Sequence, residues 1–191
     1  MGRAFLASSA LLACLVCFAA AQGSDPASVA QRKLDSIRLG TAKRGSAIVF
    51  SPGEANAWAR AQLPKTIPKG VRNLYLDFGH DVVTGTALVD FLKVRDSQGL
   101  ESNWAMRKLL EGERPVKAIA RVVSKNGDAT VYLTRLEVAQ VKLSGGVLDF
   151  MIDNFVRHFY PNVKIGEPIE LEDGIDHLEV RSTGVSVIMS R

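Results

Sequence analysis

Cysteine is nearly absent from the sequence, which holds Cys14 and Cys17 and no other cysteine among its 191 residues. Both lie within the first 21 residues, which we expect to be removed as a secretion signal. The chain that remains then carries no thiol, which excludes a disulfide framework, a cysteine nucleophile and a thiolate metal site. Such a chain suits an oxidising compartment, because it has no thiol to protect.

The N-terminal segment has the charged, apolar and small-residue order of a secretory signal. Arg3 supplies the charge, Ala4–Phe18 the apolar run, and three alanines precede Gln22. We therefore predict cleavage after Ala21 and a periplasmic or secreted protein. A retained anchor is disfavoured because the run is short and rich in alanine. A lipoprotein acylated at Cys14 is disfavoured because apolar residues continue past that position.

Catalytic and metal-binding motifs are missing as well. Neither a Gly-x-Ser-x-Gly elbow nor a Ser-x-x-Lys motif occurs, and no second apolar stretch is long enough to span a membrane. His80, His158 and His177 stand apart, without the paired spacing of zinc ligands. The sequence thus predicts no catalytic residue, no metal ligand and no cofactor, and we expect a protein that is not an enzyme.

Charged residues form two loose groups in a chain of net charge +4. The acidic group favours a solvated edge over a calcium loop, because its spacing fits no such loop. The basic group favours a solvated face, then a contact with anionic lipid headgroups; nucleic acid is disfavoured because no aromatic residues interleave with the charges. The acidic group is Glu170, Glu172, Asp173, Asp176 and Glu179, and the basic group is Arg107, Lys108, Arg114, Lys117, Arg121 and Lys125.

Residue patterns predict an α+β fold, in which consecutive hairpins form an antiparallel sheet with helices on one side. Ser51 and Glu54 predict a capping box at one helix start, Asn126-Gly127 predicts a hairpin turn, and the strand after this turn is long enough to need a bend or bulge. Removal of the signal leaves about 170 residues, enough for one domain. Residues 22–45 are polar and predict a tether or short helix outside the core, followed by a single domain over 46–191. The predicted elements are a strand at Ala47–Phe50, a helix from Pro52 to Pro64, strands at Asn73–Phe78 and Val83–Phe91, a short helix at Gly99–Gly112, strands at Pro115–Ser124 and Ala129–Leu143, a long helix at Gly146–Tyr160, and strands at Ile169–Leu171, Leu178–Arg181 and Val185–Met189.

Small residues mark one face of the predicted sheet. Gly85 and Ala87 fall on one side of one predicted strand, and Ala118 and Ala120 fall on one side of another. Such faces leave room for an apolar ligand between sheet and helix, or let the helix pack closely; the residues alone favour close packing. In the long helix, the residues expected to face the sheet are Leu148, Met151, Ile152 and Phe155. Phe150 makes this helix apolar on a second side, as expected if a sheet wraps around it.

The order of elements resembles that of the tubular lipid-binding superfamily, in particular the YceB-like lipoproteins and the LmeA-type exported bacterial proteins. The resemblance covers about residues 46–190 and is carried by short motifs of this sequence. It implies a strongly curved antiparallel sheet wrapped around a long amphipathic helix, an apolar groove between them, and no catalytic residues. The motifs are Glu54-Ala55-Asn56 at a helix start, Thr84-Gly85-Thr86-Ala87 in a strand, Leu136-Glu137-Val138 in a later strand, Leu148 to Pro161 in the helix, and Gly174-Ile175 followed by Leu178-Glu179-Val180 at the end.

With this resemblance, binding or shuttling of a lipid or another elongated apolar ligand becomes the leading expectation. The alternative is a structural or partner-binding envelope protein whose groove is filled by its own side chains. The expected ligand-lining residues are Trp58, Leu74, Leu76, Gly85, Ala87, Val89, Met151, Phe155 and Phe159.

Overall fold

The computed structural model describes residues 24–66, 69–96, 111–155 and 165–191. Three predicted segments lie outside these residues: the secretion signal, the helix at Gly99–Gly112 up to residue 110, and the end of the long helix. The described fold is α+β and all its strand pairs are antiparallel, which confirms the predicted class. Its elements are α1 (Pro26–Arg38), β1 (Ala47–Phe50), α2 (Pro52–Thr66), β2 (Val71–Phe78), β3 (Val82–Asp90), α3 (Phe91–Asp96), β4 (Glu113–Lys125), β5 (Asp128–Val138), β6 (Val141–Lys142), α4 (Gly145–Phe155), β7 (Pro168–Glu170), β8 (Ile175–Arg181) and β9 (Gly184–Met189).

The larger sheet has six strands in the order β2-β3-β4-β5-β6, with β7 added beside β5. Asn126 and Gly127 turn β4 into β5 with φ angles of 54° and 83°, as the sequence predicts. The bulge predicted in the long strand is also present. Ile119 and Ala120 of β4 are paired with Arg135 and Leu133, so Thr134 is an extra residue in β5. Beyond Val138 the chain turns again at two positive-φ residues, so the predicted strand is divided into β5 and β6.

The smaller sheet has three strands in the order β1-β9-β8, so the described strands form two sheets where the sequence led us to expect one. Hydrogen bonds join β8 to the hairpin ends of the larger sheet. The Asp81 N–H donates to the Val180 carbonyl over 3.0 Å, and the Leu178 N–H donates to the Ser124 hydroxyl over 2.9 Å. Pairing between distant segments of this kind leaves no local pattern in a sequence.

Helix α1 belongs to the core, contrary to the expectation of a tether or helix outside it. Asp25 caps its first turn, and Ala30 and Ile37 are almost fully buried. With Leu34 they lie at helical spacing, so a narrow apolar stripe runs along a helix that is otherwise polar. This stripe packs against Phe50 of β1 and the apolar side chains of β9.

Helix α2 begins with the predicted capping box. The Glu54 N–H donates to the Ser51 hydroxyl over 3.2 Å, and the Ser51 N–H donates to the Glu54 carboxylate over 2.8 Å. The predicted end at Pro64 is wrong, because the helix continues to Thr66. A proline lacks the backbone N–H and crowds the carbonyl four residues earlier, which disfavours a short helical continuation but does not forbid it.

Helix α3 begins where the sequence predicted the end of a strand, at Phe91. The Asp90 carboxylate accepts a hydrogen bond from the Lys93 N–H over 3.1 Å and so caps the new helix. Phe91 is buried in a second core cluster together with Leu136 and Met151.

Candidate ligand-binding face

One face of the larger sheet carries the small residues that the sequence singles out, and we refer to it as the inner face. Successive side chains of a strand point to opposite sides, so the strand register decides which residues share a face. Gly85 is paired with Leu76 on one side and with Ala118 on the other, and Ala118 is paired with Leu136. The inner face consists of Leu76 and Phe78 of β2, Val83, Gly85, Ala87 and Val89 of β3, Val116, Ala118, Ala120 and Val122 of β4, and Val131, Leu133, Leu136 and Val138 of β5.

The centre of the inner face is shallow because Gly85 and Ala118 are adjacent there. A Cβ atom placed on Gly85 would lie 3.7 Å from Cδ2 of Leu76, which is an ordinary van der Waals contact. Gly85, Ala87 and Ala118 are all only partly buried. The centre of this face is thus apolar and incompletely covered.

Helices α3 and α4 cover one end of the inner face. Met151 and Phe91 are buried against Leu136, and half-buried apolar residues of β3, β4 and β5 pack around them. Leu148 belongs to this packing, whereas Ile152, which was expected to face the sheet, is half-buried outside the cluster. Phe150 is 40% exposed, so the sheet does not wrap around this second side of the helix as the sequence led us to expect.

Asn56 holds the edge of the inner face, a role that sequence reasoning missed. Its side chain donates to the Leu76 carbonyl over 2.7 Å and accepts from the Leu76 N–H over 2.7 Å. A further bond runs from its amide to the Pro52 carbonyl over 2.9 Å, and the residue is only 4% exposed. Asn56 therefore pairs with β2 as a neighbouring strand would and fixes α2 beside the sheet. The only signal in the sequence was the position of this residue in the Glu54-Ala55-Asn56 motif.

The structure brings some of the expected lining residues together and separates one from the rest. Leu76, Gly85, Ala87 and Val89 share the inner face, and Met151 packs beside it. Trp58 instead packs against the cluster of α1 and β9, where its indole N–H donates to the Gln31 side chain over 2.9 Å.

Three of the expected lining residues have no assigned place in a cluster. Leu74 lies in β2 within the register irregularity between Arg72 and Tyr75. The side chain of Phe155 and the whole of Phe159 fall outside the described residues.

An open groove of about 350 Å³ lies across the sheet at the end where β2, β3 and β4 approach the turn at Gln140. Most of its strand residues point away from the inner face by register, so the groove belongs mainly to the opposite side, which we refer to as the outer face. Its lining residues are Asn73, Thr86, Ala87, Leu88, Pro115, Val116, Lys117, Glu137 and Gln140.

Two carboxylates with lowered pKa values, those of Glu54 and Asp90, cap the starts of α2 and α3. Burial raises the pKa of Glu54, but hydrogen bonds from Lys33 and Ser51 and the charge of Lys33 outweigh it, so the pKa lies below its ordinary value. Asp90 behaves in the same way, with burial opposed by hydrogen bonds from Lys93. Within the described ranges, no group of three or more His, Cys, Asp or Glu side chains could hold a metal ion.

No family model, curated protein or solved structure matches this chain. Among the helices of the described residues, none is long and apolar enough to cross a membrane.

Proposed function

We propose that the protein binds a lipid or another elongated apolar ligand on the inner face of the larger sheet, without catalysing a reaction. The observation that carries this proposal is the alignment of Gly85 with Ala118 in the centre of an incompletely covered apolar face. Small residues in adjacent strands lower the sheet surface locally and leave room for an acyl chain. Each methylene buried there would contribute about 0.8 kcal/mol, so a short contact gives useful affinity without polar ligands.

In this proposal α4 forms one wall of the site, and the sheet curves around the bound chain as in the tubular lipid-binding superfamily. Its contacts through Leu148 and Met151 place the helix over the end of the face nearest to Val89 and Val116. Gly145 and Gly146 are the first two residues of the helix, and a Cβ atom on either would meet nothing within 4 Å. The start of α4 therefore has space for a small rotation when a ligand enters.

We also propose that the protein is exported and that its first 21 residues are removed. The order of Arg3, the apolar run and the alanines before Gln22 supports this. N-terminal sequencing of the protein secreted by its own cells should begin at Gln22. A mature protein that begins at Met1, or one acylated at Cys14, would contradict it.

The second candidate is a structural envelope protein in which its own side chains fill the face. One observation favours it: Leu76 already approaches Gly85 closely enough to occupy part of the shallow centre. Such a protein would show the same register and the same stability but no affinity for apolar ligands.

Titration with an apolar fluorophore that becomes emissive in a dry site separates the two candidates. The protein as purified after organic extraction should bind it, and a fatty acid should displace it. Gly85→Leu and Ala87→Leu should each fill the face and weaken binding at least tenfold. Thr84→Leu is the matched control, because Thr84 neighbours Gly85 but lies on the outer face, beside Ile119.

The proposal requires that the Thr84→Leu protein binds as the unaltered protein does. Equal losses in the inner-face variants and the control would contradict it, as would an unaltered protein that binds no fluorophore. Urea unfolding of each variant shows whether a loss of binding reflects a loss of folding.

A further inference from the structure

The outer face of the larger sheet concentrates exposed cations from three strands. Lys117, Arg121 and Lys125 of β4 are separated by even numbers of residues, so all three point to this face. Arg135 of β5 points the same way, because it is paired with Ile119. Lys142 of β6 is paired with Glu137, which in turn is paired with Lys117. Each of these cations is exposed.

Acidic side chains offset only part of this charge. In the central rows of the face, Asp77 and Glu137 oppose Lys117, Arg121, Arg135 and Lys142. Glu137 contacts Arg135 over 3.3 Å, and at the end of the hairpin two carboxylates, those of Asp128 and Glu170, share the row of Lys125. An excess of positive charge therefore remains in the middle of the sheet.

Aromatic and aliphatic side chains lie among these cations. Tyr75 and Tyr132 are 52% and 39% exposed, and the Arg121 guanidinium lies 5.5 Å from the centre of the Tyr132 ring. Val123 is 46% exposed on the same face. The apolar walls of the 350 Å³ groove, at Leu88 and Pro115, continue this surface next to Lys117.

We propose that the outer face docks on a membrane surface that contains anionic lipids. Cations at such a surface interact with the negative headgroups, and tyrosines are favoured at the interface because their rings are apolar and their hydroxyls polar. Charge complementarity and the exposed apolar side chains point to the same occupant. Because this face is opposite the inner face, docking does not depend on whether the inner face binds a ligand.

Co-sedimentation with vesicles tests the docking surface. The protein should bind vesicles of mixed phosphatidylglycerol and phosphatidylcholine, bind pure phosphatidylcholine much more weakly, and dissociate as salt increases. Each cation near an anionic surface contributes about fivefold to binding, so Lys117→Gln/Arg121→Gln should weaken it roughly 25-fold. Adding Tyr132→Ser to this pair should weaken vesicle binding further.

Lys43→Gln/Arg44→Gln is the matched control, because both residues are exposed in the loop between α1 and β1, away from the larger sheet. It removes the same charge and should weaken binding less than threefold. If the first pair lowers the unfolding midpoint, Lys117→Gln/Lys142→Gln replaces it and leaves Arg121 on Tyr132. Gly85→Leu should bind vesicles as the unaltered protein does.

Three results would overturn the proposal. The first is an equal loss in the outer-face and control pairs, which would show a response to net charge alone. The second is equal binding to neutral and anionic vesicles. The third is tighter binding to a single-stranded oligonucleotide than to the anionic vesicles, which would assign the face to nucleic acid.

Discussion

The two core clusters of the molecule are held together in different ways. Around α1, α2 and the smaller sheet, buried apolar residues are accompanied by specific polar contacts, among them the Lys33–Glu54 ion pair at 2.7 Å and the Trp58–Gln31 bond at 2.9 Å. Around the inner face, apolar side chains pack on small residues and remain partly exposed. The first region has its geometry fixed by directional bonds, whereas the second has the adaptable apolar surface that ligand binding needs.

The largest effect should come from Asn56, where the two regions meet. Asn56→Asp replaces a donor with a charged acceptor facing the Pro52 and Leu76 carbonyls, and we expect a loss of about 3 kcal/mol or more. Urea unfolding measures it. Arg60→Ala, at an exposed position of the same helix, should change the stability by less than about 0.5 kcal/mol. Similar effects of the two substitutions would show that Asn56 does not hold α2 to the sheet.

A smaller loss should follow truncation of the buried side chain of α4. Met151→Ala should cost about 2–3 kcal/mol, because Met151 is only 8% exposed and packs on Leu136. Ile152→Ala should cost about 1 kcal/mol, since Ile152 is half-buried and lies outside the cluster. Thermal unfolding of both variants gives the order. If Ile152→Ala costs more, α4 faces the sheet differently.

The capped start of α2 should give a stability that depends on pH. The folded-state pKa of Glu54 is lowered, so its contribution is present above the ordinary pKa of glutamate and is lost as the pH falls through the lowered value. Glu54→Gln should therefore cost about 1 kcal/mol at pH 7, and the difference from the unaltered protein should shrink in acid. Urea unfolding at several pH values measures it. A constant difference down to low pH would contradict the assignment.

The smallest effect should come from the same substitution at an exposed ion pair. Glu172 contacts Arg38 over 3.3 Å, and both side chains are more than half exposed. Glu172→Gln should change the unfolding free energy by less than about 0.5 kcal/mol, and added salt should remove the difference. An effect as large as that of Glu54→Gln would show that burial does not separate the two carboxylates.

The sequence predicts best the features that are decided by neighbouring residues. The Asn126-Gly127 turn and the Ser51–Glu54 capping box are local, and both are confirmed. The face shared by Gly85 and Ala118 was also predicted, because side chains alternate between the two sides of a strand and adjacent strands keep that alternation in register. The extent of α2 past Pro64 could not be read in this way, because a proline disfavours a helix without fixing the residue at which it ends.

Features that depend on distant segments could not be predicted. Trp58 was expected beside the ligand, but α1 packs on α2 and takes this side chain into its own cluster. The apolar stripe of α1 was missed because it is only one residue wide on each turn and the residues around Ala30 are mostly polar. The role of Asn56 could not be predicted, because its partner, Leu76, lies 20 residues away and contributes only backbone atoms.

The most direct test of the central claim is native mass spectrometry of the protein purified from its own cells, followed by organic extraction and a second spectrum. The proposed function predicts a discrete adduct that disappears on extraction, with a lipid recovered in the organic phase and with the Gly85→Leu protein free of the adduct. A protein that carries no adduct before extraction and takes up no fatty acid afterwards would contradict it.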